Sequence, residues 1–234
     1  MLNPKKKIVK KELKQDTLLT TFARTEGFYY EHKKYVNYAL TALVIAAIAL
    51  VIFINNRRTN NAKASLELGR VMSILDANPA DPAAVTMAIE GRPEQGIAGL
   101  RKIVENYGGT DAGNLAKYYL GNAYCLAGAY PEAIESYRDF SGDDPLLVSG
   151  AKSGEGASLE ALKQYDEAAK AFESAAKSDP RGISAPEHLN SAARCFALAG
   201  KQEEALRLLR KLKEEYPTST FAREADRAIT RITL

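Results

Sequence analysis

Two hydrophobic patterns divide this chain. From Tyr38 to Ile54 the sequence reads YALTALVIAAIALVIFI, 17 residues without a charge, ten of them Leu, Ile, Val or Phe. With Tyr35, Val36 and Asn37 the run reaches 20 residues. A helix of that length rises about 30 Å, enough to cross a bilayer. Its large apolar side chains favour insertion by roughly 3 to 6 kcal/mol. Nothing else in the chain is apolar enough to surround such a helix as a buried core element. The run ends in Asn55-Asn56-Arg57-Arg58, with neither a small-x-small cleavage site nor a lipobox cysteine, and more than 30 residues precede it. The pattern predicts an uncleaved signal anchor rather than a removed leader.

The second pattern is an internal repeat with helical spacing. Three segments superimpose: Gly128-Ala129-Tyr130-Pro131-Glu132-Ala133 with Tyr137 and Pro145; Lys163-Gln164-Tyr165-Asp166-Glu167-Ala168 with Phe172 and Pro180; and Gly200-Lys201-Gln202-Glu203-Glu204-Ala205 with Leu209 and Pro217. In each, an alanine is followed four positions later by a large apolar residue and twelve positions later by proline, and the alanines are 35 and 37 residues apart. A weaker copy places Gly96, Leu100 and Gly108 in the same three columns. Such periods are the signature of stacked helix pairs. The small residue marks the closest approach of two helices, the large one fills the gap between repeats, and proline is expected to end the second helix. Pro93 and Pro131 are expected near the first turn of their second helices, where a missing N–H costs nothing. Tyr107-Gly108-Gly109-Thr110-Asp111 and Tyr216-Pro217-Thr218-Ser219-Thr220 read as breaks with N-cap residues. Ala62 to Asp76 is expected as a first helix, interrupted at Asn78-Pro79-Ala80-Asp81-Pro82, and Phe221 to Ile232 as a capping helix.

In the best copy Leu120-Gly121-x-x-Tyr124 precedes Tyr130, Ala133, Tyr137 and Pro145. This order resembles the tetratricopeptide repeat family, whose pattern is Trp-x2-Leu-Gly-x2-Tyr, then Ala, Phe and Pro. The resemblance covers residues 92 to 234 well and 62 to 91 poorly, with Lys117 in the tryptophan column and Glu155-Gly156-x-x-Leu159 in the second full repeat. The expected fold is all-α: a single N-terminal transmembrane helix followed by a tetratricopeptide-type α-solenoid of helix pairs.

Charge orients the anchor. Residues 1–34 carry nine Lys and Arg against four Asp and Glu, whereas residues 59–234 carry 21 against 25. The pI of about 8.7 therefore belongs to the head and not to a nucleic-acid-binding domain. The positive-inside rule places that head in the cytosol, with Arg57, Arg58 and Lys63 as a weaker opposing bias, and Tyr29, Tyr30, Tyr35 and Tyr38 at the cytosolic interface. Basic residues alternating with Leu13, Leu18, Leu19, Phe22 and Phe28 fit either a helix lying along anionic lipid or a simple topology anchor. The short basic run Lys5 to Lys7 has no nucleic-acid role in a membrane anchor. The remaining composition, 46% hydrophobic and 26% charged, is that of a globular chain and excludes collagen-like, mucin-like and disordered classes.

Candidate chemistry is sparse. Ser149 to Gly156 carries Lys152-Ser153 among glycines, but a phosphate loop needs Gly where Ala151 and Leu147 stand. Cys125 and Cys195 fall on first helices of different repeats, too far apart for a disulfide, and read as buried apolar fillers. His32 and His188 have no partner at ligand spacing, and His188 reads as a polar helix-start residue. Glu203-Glu204 and Glu214-Glu215 face different directions on a helix and read as solvated. No cofactor, metal or catalytic role is expected. Some tetratricopeptide proteins clamp an acidic chaperone tail with Lys and Asn, and here Asn122 occupies one such position while Tyr118 and Leu126 flank it, so that clamp is not assembled.

The order of basic head, anchor and helical repeats is similar to the YfgM-type ancillary Sec translocon subunits of the bacterial envelope. That resemblance implies a non-enzymatic scaffold in the inner membrane, single-pass, with a cytosolic N-terminus and periplasmic repeats. Its implied partners are translocon subunits, periplasmic chaperones or exported chains, and the alternative is an adaptor for outer-membrane protein insertion or peptidoglycan synthesis. An enzyme or small-ligand receptor would need a polar pocket that no residue cluster supplies. The expected division is a basic cytosolic head at 1–34, a transmembrane anchor at 35–56, a linker and first helix at 57–91, and repeats with a capping helix at 92–234. Residues expected to line a protein-binding groove are Lys117, Tyr118, Asn122, Lys152, Ser153, Asn190 and Arg194. Protease added to intact spheroplasts is expected to digest the repeats, and their protection there would mean the inverted topology.

Overall fold

The structure, a computed structural model, describes residues 10–78 and 80–233, with side chains from Glu26 to Ile232 except at Gly27 and Pro79. Lys5 to Lys7 lie outside the described residues, and the side chains of Leu13, Leu18, Leu19 and Phe22 are likewise not described. Among the described residues there are ten α-helices: α1 (Lys10–Ala77), α2 (Pro82–Glu90), α3 (Leu100–Tyr107), α4 (Asp111–Leu126), α5 (Tyr130–Asp139), α6 (Pro145–Ala161), α7 (Tyr165–Ser178), α8 (Ala185–Leu198), α9 (Gln202–Glu215) and α10 (Thr220–Thr233). One antiparallel hairpin, β1 (Gly91–Arg92) and β2 (Ile97–Ala98), separates α2 from α3. The fold is the all-α solenoid with an apolar N-terminal helix that the pattern predicts.

The chain divides into two compact units between Asn56 and Arg57. In the first, α1 leaves helical geometry at His32 (φ −110°, ψ 18°). The apolar run that follows is exposed throughout and is, among the described residues, the one helical stretch long and apolar enough to cross a membrane. Exposure of Leu, Ile, Val and Phe on every face suits a helix whose solvent is lipid.

The second unit begins with the last turns of α1. Ala64, Leu68, Val71 and Leu75 recur at helical spacing and are buried against Val85 and Ile89 of α2, Leu100 and Ile103 of α3, and Ala116 and Leu120 of α4. Helix α4 is capped twice at its start. Thr110 Oγ1 accepts from Gly113 N at 3.1 Å, and Asn61 Oδ1 from α1 accepts from Ala112 N at 2.8 Å. Pairs α4/α5, α6/α7 and α8/α9 follow, and α10 covers the last pair, with Phe221, Ala228 and Ile229 packed on the core. Ala133 with Tyr137, Ala168 with Phe172, and Ala205 with Leu209 are all buried, so the small and large columns perform their expected packing roles.

Two expectations are corrected. The weak copy does not form a second helix from Pro93. Pro93 opens a 3₁₀ turn inside the hairpin, Gly96 caps that turn in the left-handed region (φ 67°), and the helix starts only at Leu100. Here the segment instead closes on Gly91 and Gly99, where a Cβ on Gly91 would lie 2.3 Å from Gly99 N and one on Gly99 2.4 Å from Gly91 N. Pro145 does not end a helix either. Helix α5 stops at Asp139, and Pro145 is the first residue of α6, behind Asp144, whose carboxylate accepts from Leu146 N at 2.9 Å. Pro180 and Pro217 do follow directly on the caps of α7 and α9.

The three turns from first to second helix share one closure. Ala129 N, Gln164 N and Lys201 N donate to the carbonyls of Tyr124, Leu159 and Phe196 at 2.8 to 2.9 Å. The residue before each lies in the left-handed region, and it is Gly128 (φ 74°), Gly200 (φ 77°) and, in the middle repeat, Lys163 (φ 61°). A side chain there crowds the following carbonyl, at a cost of about 1 kcal/mol. Lys163→Gly is expected to raise the unfolding free energy by about 1 kcal/mol, and Gly200→Lys to lower it by a similar amount, in urea titrations of the folded repeats.

Candidate binding groove

Helices α4, α6 and α8 are the first helices of successive pairs and hold all seven residues expected at a groove. Tyr118, Asn122 and Ser153 are brought together in a depression of about 450 Å³ floored by α4 and α6 and closed by the start of α8 at Ser184 and His188. Tyr118 lies over Gly150, where a Cβ would be 2.9 Å from its hydroxyl, and packs against Tyr137 and Phe140 with ring centroids 6.2 and 5.8 Å away. Asn122 Oδ1 accepts from the Tyr137 hydroxyl at 2.7 Å. Burial holds the Tyr137 phenol far above its usual pKa, so it remains a donor. The rim of this depression is apolar: Leu146 and Ile183 are 65% and 94% exposed.

Asn190 and Arg194 lie in a second depression, of about 530 Å³, between α8 and α10. Ala193, Ala197, Leu209 and Ile232 supply its apolar surface, and Arg227 and Arg231 of α10 stand at its edge. Arg194 reaches back to α6, where its guanidinium makes a two-pronged pair with Glu160, Nη2 to Oε2 at 2.9 Å. Hydrogen bonding to Glu160 raises the Arg194 pKa further, keeping that cation fixed.

The two lysines go elsewhere. Lys117 Nζ donates to the Asp139 carbonyl at 3.2 Å and so closes the end of α5. Lys152 Nζ meets Glu155 Oε2 at 3.1 Å in a separate depression among α5, α6 and α7. Glu155 stands in the leucine column with its side chain only 9% exposed, and Arg138 Nε holds its other oxygen at 2.7 Å. A carboxylate tolerates that position because two cations reach it, since an unpaired charge there would be strongly destabilising.

The remaining polar groups support structure. Cys125 Sγ is 3.0 Å from Ser158 Oγ, and Cys195 is fully buried, with burial pushing its thiol up to about 12, so it is no nucleophile at neutral pH. Ser149 of the phosphate-loop-like stretch sits inside α6 and donates to the Ala175 carbonyl at 2.9 Å. No group of three or more His, Cys, Asp or Glu is placed to hold a metal ion among the described residues.

Sequence reading missed Ile183, Arg227 and Arg231. A signal was present: Leu126, Leu162 and Leu198 recur 36 residues apart and are all exposed, and arginines recur every four residues at 223, 227 and 231 of α10. The sequence profile of the tetratricopeptide repeat matches residues 90–145 and 154–220, more than half of the chain. The chain belongs to the tetratricopeptide repeat family, whose repeats are typically non-catalytic interaction modules, so its partners are proteins. No curated protein matches it.

His188 gives the groove a pH-dependent wall. Burial lowers its pKa below 6.5, against the opposing pull of Glu187 and Asp179. The unfolded chain therefore takes up this proton at higher pH than the folded one, so the stability contributed by neutral His188 is full above 6.5 and is lost as the pH falls through that value. Urea midpoints are expected to fall from about pH 8 to about pH 5, and His188→Gln to flatten that part of the profile.

Proposed function

We propose that this protein is a membrane-anchored scaffold that holds segments of partner proteins in its helical groove at the extracytoplasmic face. Its place is beside the Sec translocon of a bacterial inner membrane, with periplasmic chaperones and newly exported chains as partners. The observation that carries this reading is the succession of one lipid-suited helix and a repeat solenoid with an open groove on its first helices. In this reading residues 1–34 are a cytosolic head, 35–56 the anchor, 57–91 the linker and first helix, and 92–234 the interaction domain. The excess of Lys and Arg in the head supports that orientation.

A stack of helix pairs presents a continuous surface that a single globular pocket does not, which suits extended or helical segments of other chains. Confinement to the membrane plane raises the effective concentration of the groove at membrane machinery without any new contact. Tyr118, Asn122, Ser153, Asn190 and Arg194 face the two depressions and are the proposed contact residues.

The test is affinity purification of the full-length protein from native membranes in mild detergent, with crosslinking and mass spectrometry. Translocon subunits and a periplasmic chaperone are expected, with crosslinks in α4, α6 and α8. Recovery of only outer-membrane insertion or cell-wall machinery would overturn the translocon assignment in favour of an envelope-assembly adaptor.

A further inference from the structure

The depression between α8 and α10 differs in charge from the rest of the groove. Its wall carries three arginines, Arg194, Arg227 and Arg231, against one carboxylate, Glu224. Arg194 is neutralised by Glu160 from α6. Arg227 and Arg231 are exposed and have no ion-pair partner among the described residues. They stand one turn apart on α10, which puts their Cβ atoms about 5 to 6 Å from each other on one face.

Between these cations lies apolar surface. Ala197, Leu209 and Ile232 line the depression, and Leu198, 54% exposed, stands at its edge. A volume of about 530 Å³ is in the range of roughly 300–1,000 Å³ that holds a ligand with several side-chain-sized groups. The combination selects its occupant: apolar side chains alone would leave two guanidiniums unanswered at the rim, and carboxylates alone would leave the floor wet.

We infer that this depression docks a short acidic and apolar segment of a partner protein, its apolar side chains seated against Leu209 and Ile232 and two of its carboxylates paired with Arg227 and Arg231. The inference rests on the reading of the groove as a docking surface and names the chemistry of the segment taken at its C-terminal end. Carboxylates one helical turn apart, or two residues apart in an extended chain at about 6.6 Å, match the spacing of the two arginines. Arginine favours this role because its planar fork takes a carboxylate through two hydrogen bonds. The association should weaken with salt, because the rim is exposed.

The experiment is selection of a random twelve-residue peptide library on the full-length protein in nanodiscs of uncharged phosphatidylcholine, followed by titration of a synthetic copy of the most enriched peptide. Enriched peptides are expected to combine large apolar residues with paired Asp or Glu. Their affinity is expected to fall about tenfold or more with the Arg227→Glu, Arg231→Glu double variant, and as far on the unaltered protein when Asp and Glu become Asn and Gln. Lys102→Glu, a charge reversal at an exposed lysine of α3 outside both depressions, should change it less than about twofold. Peptides without acidic residues, no enrichment, or affinity indifferent to both changes would overturn the inference. Loss on Tyr118→Ala alone would overturn it and leave the groove reading standing. Arginine-dependent binding of phosphatidylglycerol vesicles without any acidic peptide selected would overturn it in favour of a lipid surface.

Discussion

Tyr137 is wedged between two glycines, and the geometry of the groove follows from that contact. A Cβ on Gly121 of α4 would lie 2.7 Å from its ring, and one on Gly154 of α6 would lie 2.3 Å from it. The side chain of one second helix thus sets how closely two successive first helices approach, and a single methyl group on either glycine would push the ring aside. The same phenol donates to Asn122, so the wedge also fixes a polar group of the groove wall. A Cβ on Gly156 of α6 would lie 3.0 Å from the Phe172 ring of α7, the counterpart one repeat later of the Gly121 contact alone. No helix pair buries its apolar face alone, and each is stable only because its neighbour supplies the complementary small or large residue.

Electrostatics adds a ladder with the same period. Glu160 pairs with Arg194 and Glu173 with Arg207, each across 34 residues, and Asp166 pairs with Lys201 across 35. With their cations open to solvent, such pairs contribute about 0 to 1 kcal/mol each, so they tune register rather than hold the solenoid together. Glu173 shows the balance within one group: burial pushes its pKa up, while Lys177 and Arg207 together hold it below the usual carboxylate value. Hydrogen bonds from Lys170 and Lys201 lower Asp166 likewise. At the groove the ladder has a further effect, since Glu160 occupies Arg194 and leaves Arg227 and Arg231 of α10 as the wall's cations without an ion-pair partner among the described residues.

Membrane confinement and groove chemistry act on different quantities. In the proposed function the anchor fixes where partners are met, and the groove fixes which segments are held once they arrive. The walls combine tyrosine rings and exposed leucine and isoleucine with few charges at one end, and at the other apolar surface with Arg227 and Arg231, which make no ion pair among the described residues. Such a surface offers two chemically distinct positions to one long segment or to two short ones.

How much of this was legible in the chain depends on whether the signal was local. The apolar run from Tyr38 to Ile54 and the repeat columns at Ala133, Ala168 and Ala205 were readable because hydrophobicity and helix packing at fixed spacing are properties of nearby residues. The capping roles of Thr110 and Ser219 were readable for the same reason. The weak copy around Gly96 matched the columns yet folded as a hairpin, because Gly91 and Gly99 permit a close backbone approach that a helix from Pro93 would prevent. The site was only partly readable. Tyr118, Asn122 and Ser153 converge because α4 and α6 stack at glycine distance, whereas Lys117 and Lys152, on the same helices, turn to Asp139 and Glu155. Local sequence determined which helices form and which face of each is buried. The Lys152–Glu155 pair is local, three residues apart, but tertiary packing decided where Lys117, Arg194 and Lys201 go, since their partners lie 22 to 35 residues away in other helices.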